Sequence, residues 1–379
     1  MKVYLDNAAT TPMDQEVIDA IIPIMQNNFG NPSSVHSFGR GTRAIIEKAR
    51  KQVAGYINAL PGEIVFTGGG TEADNLALRG AVDDLGVNHI ITSKIEHHAV
   101  VDTAIAVGEK HNVKVSFVSF DEKGYVEIES IERLLEENKD RKTIVSLMHA
   151  NNEIGNKLPL KKVAGLCKKY DAYFHSDTVQ TMCHYKFDVR ELGIDFITCS
   201  AHKFHGPKGI GFLYINENLQ LKPIITGGAQ ERNVRAGTEN IIGIVGLTKA
   251  MEVAYRDLDE HQKHVQGLKS YMIEQLERII PEVKFNGDPK ENSLYTVLNV
   301  QFPNTDMDEM LLYNFDIEGI AVSGGSACSS GSNVGSHVLR NIGVDMAKPA
   351  LRFSFSKYNT KEEIDYTLSV VKDLFAVKV

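Results

Sequence analysis

The chain has 379 residues, 42% hydrophobic and 24% charged, with a net charge of −8, a length that exceeds one ordinary core and suits two domains of a soluble globular protein. No uncharged apolar run is long enough to span a bilayer, Asp6 falls too early for a secretory signal, and no Lys/Arg run is dense enough to track a nucleic-acid backbone. Cys167, Cys183, Cys199 and Cys328 are too few and too scattered to staple the chain, which points to a reducing cytoplasm.

In chain order, Glu63–Thr67 reads as a strand, followed by glycines and a helix from about Thr71. His89–Ser93 is the next strand, with an apolar helix beginning near His98. Val113–Ser119, Thr143–Met148 and Ala172–Ser176 continue the series, separated by helical segments. Strands joined by helical crossovers predict an α/β domain with a mostly parallel sheet covered on both faces. Near Ile241 the pattern changes to a long amphipathic stretch reaching about Ile280, readable as one or two helices. Beyond it come strands at Leu294–Phe302, Ile320–Ser323 and Leu351–Phe355, a helix from about Asp306, and a closing helix introduced by the capping box Thr360-Lys361-Glu362-Glu363. The expected division is a large domain over residues 14–245 and a smaller α+β domain built from residues 1–13 and 246–379.

Five segments that follow strands carry the chemistry. Ser200-Ala201-His202-Lys203 ends one strand, placing Lys203 in a turn at the sheet edge where α/β folds bind ligands. An amine held there can form a Schiff base with an aldehyde cofactor, although a lone loop lysine is ordinarily only solvated. Asp177 closes another strand with Gln180 one turn on. A carboxylate there can pair with a pyridinium nitrogen and Gln180 with a phenolic oxygen, the alternative for Asp177 being a helix N-cap. Gly68-Gly69-Gly70-Thr71 opens a helix, so the amides of Gly70 and Thr71 make an anion site for a phosphate, which Ser200 and His202 complete. The glycines match neither a dinucleotide nor a Walker loop. His97 is placed to stack on a cofactor ring and relay protons. A metal pair with His98 is disfavoured because adjacent residues share no face of a helix or strand. Asn152 can hydrogen-bond the substrate or the ring oxygen. Together these residues describe a pyridoxal 5'-phosphate site.

Ser323–Ser332 is a run of small residues and glycine around Cys328. Such a stretch cannot pack a core and reads as an exposed loop, on which a thiolate can attack and carry a persulfide. The other three cysteines lie in apolar patterns and are expected in the core.

At these residues the sequence resembles the cysteine desulfurases of the NifS/IscS type, in the class-V aminotransferase family. The likeness runs from Tyr4-Leu5-Asp6-Asn7-Ala8-Ala9 to Leu351-Arg352-Phe353-Ser354 and includes Phe29–Ser34, His149–Gly155 and Arg235-Ala236-Gly237-Thr238. It implies the PLP-dependent transferase type I fold, a homodimer with Thr238 reaching the neighbouring subunit's cofactor phosphate, and Arg352 on the substrate carboxylate. Ser323-Gly324-Gly325 departs from the family's more usual Ser-Ser-Gly, which should only loosen the loop. The chain also ends at Val379 without the longer tail by which some relatives dock a scaffold.

The resemblance implies this chemistry. L-cysteine is bound through Arg352, Lys203 removes the Cα proton, Asp177 keeps the ring electron-withdrawing, and His97 handles the thiol proton. Cys328 then takes the sulfur as a persulfide and L-alanine leaves. The acceptor is expected to be an iron–sulfur scaffold or a partner in thio-cofactor or tRNA biosynthesis. The rival readings are a selenocysteine lyase or other type I pyridoxal enzyme, and a non-catalytic sulfur-relay protein.

Overall fold

The computed structural model describes residues 1–304, 310–324 and 335–375. The chain begins with β1 (Val3–Tyr4), α1 (Gln15–Asn27), α2 (Ser37–Tyr56), β2 (Ile64–Thr67), α3 (Gly70–Asp83), β3 (His89–Thr92), α4 (His98–His111) and β4 (Lys114–Phe117). It continues through α5 (Ile128–Glu137), β5 (Thr143–Ser146), α6 (Leu160–Lys169), β6 (Tyr173–Asp177), α7 (Val189–Leu192), β7 (Phe196–Ser200), β8 (Gly211–Ile215) and α8 (Ile241–Arg256). The last part holds α9 (Leu258–Ile279), β9 (Lys284–Asn286), β10 (Val297–Gln301), α10 (Leu311–Ile317), β11 (Ile320–Ala321), α11 (His337–Asn341), β12 (Ala350–Ser354) and α12 (Lys361–Phe375).

Seven of the described strands form one sheet in the order β2-β8-β7-β6-β5-β3-β4. From β7 to β4 every pairing is parallel. β8 pairs antiparallel with both β2 and β7, so β2 points the same way as the parallel strands. Their carboxyl ends therefore share one edge. Side chains alternate between faces. Ile144, Phe196 and Leu213 pack under Leu76, Ala77 and Val100 of α3 and α4, while Val145, Phe174, Ile197 and Phe212 pack with Val17, Ile46, Val163 and Leu247 from α1, α2, α6 and α8. Burial on both faces explains the near-continuous apolar strands of the sequence.

A second core holds Met272, Leu276, Ile364 and Val371 of α9 and α12 against the antiparallel sheet β12-β10-β9. The capping box is present: Thr360 Oγ1 accepts from the Glu363 amide at 3.2 Å, and Glu363 Oε2 accepts from the Thr360 amide at 3.1 Å. The amphipathic stretch divides into two helices with different loyalties. Leu247, Ala250 and Met251 of α8 sit in the large core, Val265 and Leu268 of α9 in the small one. We propose the α8–α9 junction as the domain division in place of the one expected after residue 245. The first residues belong to both units. β1 pairs with β11, and the Thr11 amide donates to the His202 carbonyl at 3.0 Å.

One long-range pair fastens the large unit. The Arg50 guanidinium forks onto Glu231 at 2.6 and 2.8 Å, both side chains are buried, and the Phe66 amide donates to the same carboxylate at 2.9 Å. Removing one member leaves the other charge buried and unpaired. Glu231→Ala is expected to cost about 3–5 kcal/mol in urea denaturation, and a loss under about 1 kcal/mol would show the pair to be idle.

Candidate active site

A cavity of about 370 Å³ opens at the carboxyl edge of the parallel strands. Its wall gathers Gly70, Thr71, His97, Asn152, Asp177, Gln180, Ser200, His202, Lys203 and Arg352, which the sequence singled out separately. All but Arg352, which sits within β12, arrive at or just after the carboxyl ends of β2, β3, β5, β6 and β7, the usual ligand position in such sheets.

Lys203 closes a short 3₁₀ turn, Ala201–Lys203, directly after β7. Its Nζ donates to the carbonyls of Ala8 and Ala9 at 2.6 and 2.9 Å. Gln180 Nε2 donates to the same Ala8 carbonyl at 3.0 Å. His202 Nδ1 stands 3.1 Å from Thr10 Oγ1, so the first residues of the chain form one side of the cavity. Gly69 has φ +145, and a Cβ on Gly70 would come within 2.8 Å of Val179. Glycine there lets the backbone turn sharply and lie close to the turn that follows β6. No side chain caps the start of α3 at Gly69, leaving amides suited to an anion.

Asp177 is the last residue of β6, and its Oδ1 accepts from the Val179 amide at 2.8 Å. The N-cap alternative fails, since turns and not a helix follow. Burial and then the nearby Asp74 push its carboxyl up to about 7, against the pull of His175 and Lys203. His97 caps α4, with Nδ1 accepting from the Ala99 amide at 3.1 Å. An amide can only donate, so the ring proton belongs on Nε2. Burial, followed by the Lys203 charge, holds His97 down at about 4, and the ring is neutral at pH 7.

Arg352 is fully buried on β12. Nη2 reaches Asp6 Oδ1 at 3.0 Å, Nη1 reaches the Asn152 carbonyl at 3.0 Å, and Nε has no hydrogen-bond partner among the described residues. Thr238 is exposed and does not line this cavity. Cys328 lies outside the described residues. Cys167, Cys183 and Cys199 are buried core residues, as expected. Sequence reasoning missed Asp74, His98, Met148 and His337 in the same wall, together with the Ala8 and Ala9 carbonyls. For Asp74 a signal existed: it lies one turn after Gly70 on the buried helix face that also carries Ala77, Leu78 and Ala81. The backbone carbonyls carry no such signal.

An amine, a buried carboxyl, helix-terminal amides and a neutral imidazole around one cavity fit pyridoxal phosphate. The model of the class-V aminotransferase family matches residues 3–367. A "Cysteine desulfurase IscS" of Dictyoglomus turgidum is 44% identical over 375 residues, covering 98% of this chain and 94% of that protein. A solved structure described as a NifS-like protein superposes with TM-score 0.90 at 38% identity, covering 99% of this chain and 100% of the other. Another, described as SspA in complex with cysteine, gives TM-score 0.81 at 33% identity over 95% and 100% of the two chains. The chain therefore belongs to the class-V aminotransferase family and, within it, to the cysteine desulfurases of the NifS/IscS type.

The buried imidazoles have a consequence for stability. His89, His97, His149, His175, His184, His202 and His205 are all held down at about 4, in each case chiefly by burial. A histidine lowered on folding contributes stability that is present above its unfolded pKa, about 6.5, and lost as pH falls toward 4. Asp74, Asp177, Asp195 and Glu96 are raised by burial and act in the opposite sense over the same range. Seven imidazoles outweigh four carboxyls. The thermal midpoint of the apoprotein is expected to fall steadily between about pH 6.5 and about pH 4.5, and a flat or rising midpoint in a pH series would contradict this.

Proposed function

We propose that this desulfurase binds pyridoxal 5'-phosphate at Lys203 and takes sulfur from L-cysteine, leaving a persulfide on Cys328. The observation that carries this reading is Lys203 at the end of β7, in one cavity with Asp177, His97, Arg352 and the amides opening α3. The relative solved with cysteine shares that fold.

When bound, the cofactor supplies an aldehyde carbon that takes up an amine and a ring that draws electrons from the substrate's Cα. Gly70, Thr71, Ser200 and His202 would hold the phosphate end, Asp177 would pair with the ring nitrogen, and Gln180 and Asn152 would serve polar atoms of the ring and the substrate. Arg352 exchanges its contact with Asp6 for the substrate carboxylate, a swap suited to a planar guanidinium. Lys203 Nζ would remove the Cα proton and later return one. His97 is the group for the substrate thiol's proton. The Cys328 thiolate attacks the substrate sulfur: an S–S bond forms and the C–S bond breaks. Its electron pair remains on carbon, and the product leaves as L-alanine after protonation.

The persulfide sulfur then passes to an acceptor protein such as an iron–sulfur scaffold. Two copies of the chain form the working unit in this reading, supported by Phe29 and Phe38, exposed at 77% and 59% with ring centroids 5.3 Å apart. Thr238, exposed and outside its own cavity, is then free to serve the neighbour's phosphate. No helix among the described residues is long and apolar enough to cross a membrane, and a cytoplasmic enzyme is the proposed setting.

The test is reconstitution with pyridoxal phosphate followed by L-cysteine. Alanine and sulfide are expected in equal amounts in the presence of a thiol reductant. Borohydride reduction beforehand should fix the pyridoxyl group on the peptide containing Lys203. A label on another lysine would sink the assignment.

A further inference from the structure

Beneath the cavity three carboxyls are buried: Asp74 on α3 and Asp177 on β6, which line its wall, and Glu96 before α4, which does not. Glu96 is provided for, with both oxygens on the Met148 amide at 2.8 and 3.0 Å. Asp177 has the Val179 amide and the pull of Lys203. Asp74 differs from both. It is fully buried, it lines the cavity, and neither of its oxygens has a hydrogen-bond partner among the described residues.

A polar layer separates Asp74 from the sheet. Ser146, His175 and Thr198 come from the adjacent strands β5, β6 and β7, with Ser146 in register with His175. His175 Nδ1 lies 2.8 Å from Ser146 Oγ, and Nε2 lies 3.0 Å from Thr198 Oγ1 and 3.4 Å from Asp74 Oδ1. His175 is no counter-ion, because burial holds it at about 4. An ionised Asp74 would thus be a buried charge with no cation beside it among the described residues and only a weak pull from the Thr198 hydroxyl, a state proteins avoid. A protonated Asp74 offers an O–H to the Thr198–His175 end of the chain. Burial raises both Asp74 and Asp177 to about 7, a charge on Asp74 opposes one on Asp177, and Lys203 favours the charge on Asp177. Such a pair titrates as a unit with one proton between its members.

We propose that Asp74 is a positioning residue that holds the proton it shares with Asp177, closing the Ser146–His175–Thr198 chain and leaving Asp177 ionised to face the cofactor's ring nitrogen. This rests on reading the cavity as a pyridoxal phosphate site. A second negative charge at Asp74 would raise the proton affinity of Asp177 and set a proton in competition with the ring.

The test uses the holoprotein. Its infrared spectrum at neutral pH should contain a protonated-carboxyl band that Asp74→Asn removes. Asp74→Ala should weaken pyridoxal phosphate binding by about tenfold or more and disturb the cofactor's dichroism, while Asp74→Asn, neutral and isosteric, should recover affinity to within about threefold. The proposal is overturned if the band survives in Asp74→Asn, or if that variant binds as poorly as Asp74→Ala. Should neither variant fold, Thr198→Val carries the test. Loss of the hydroxyl that favours ionised Asp74 should move the band's titration to higher pH, and an unmoved titration overturns the idea. If the wild-type protein takes up no cofactor, the site reading fails by itself, and the infrared band still decides where the proton rests.

Discussion

Cys328→Ser is expected to lower sulfide release by about a thousandfold or more while leaving the cofactor's absorbance unchanged. A serine hydroxyl is not ionised near neutral pH, whereas a few per cent of an ordinary thiol is already thiolate. An oxygen in that position also cannot store the sulfur as a persulfide. The variant should therefore still bind L-cysteine, as judged by a spectral change on mixing, yet produce neither sulfide nor alanine at a useful rate. Preserved binding with lost transfer separates this outcome from misfolding. Normal alanine production by Cys328→Ser would remove Cys328 from the mechanism and leave the rest of the cavity's chemistry standing.

Lys203→Ala should be more damaging, with turnover falling by roughly ten thousandfold, because one side chain is asked to hold the cofactor and to move the Cα proton. Its fold should survive. Lys203 is only partly buried at the strand edge, and the carbonyls of Ala8 and Ala9 that it satisfies face a cavity water can enter. The variant should keep some pyridoxal phosphate through the amides of α3 and through Asp177. It should yield no pyridoxyl-labelled peptide after reduction, and its absorbance should be that of the free aldehyde. Turnover within tenfold of wild type would show that another amine does the work.

Much of the site was legible because each functional residue follows a strand that is itself easy to read. Phe196-Ile197-Thr198-Cys199 is buried on both faces, so its apolar run stops where Ser200 and Lys203 begin, and Tyr173–Asp177 ends on a carboxylate for the same reason. The sheet's one reversed strand was not legible, since Gly211–Ile215 has the same buried composition whichever way it runs. The fate of the amphipathic stretch was only half legible. Periodicity gives helices, but which core α8 joins depends on Ile21 and Pro207, distant residues that pack against its Gly246. Arg50 and Glu231 are 181 positions apart, and nothing local marks either as the other's partner. Asp74 could have been found as an acid on a buried helix face. The contribution of Ala8 and Ala9 could not, because it is made by backbone atoms.

The opening segment has a consequence for how the protein is made. Ala8 offers its carbonyl to Lys203 and its amide to Ser354 Oγ at 2.8 Å, and Asp6 meets Arg352, so residues 195 and 346 positions apart converge on one short stretch. Loops of that length close late in folding. On the ribosome the large sheet can form before β12 has emerged, but the contacts of Asp6 and Ala8 with Arg352 and Ser354 cannot. Arg352 enters the cavity only once β12 has joined the small sheet, so a nascent chain stalled before β12 lacks the buried guanidinium that meets Asp6 and the Asn152 carbonyl.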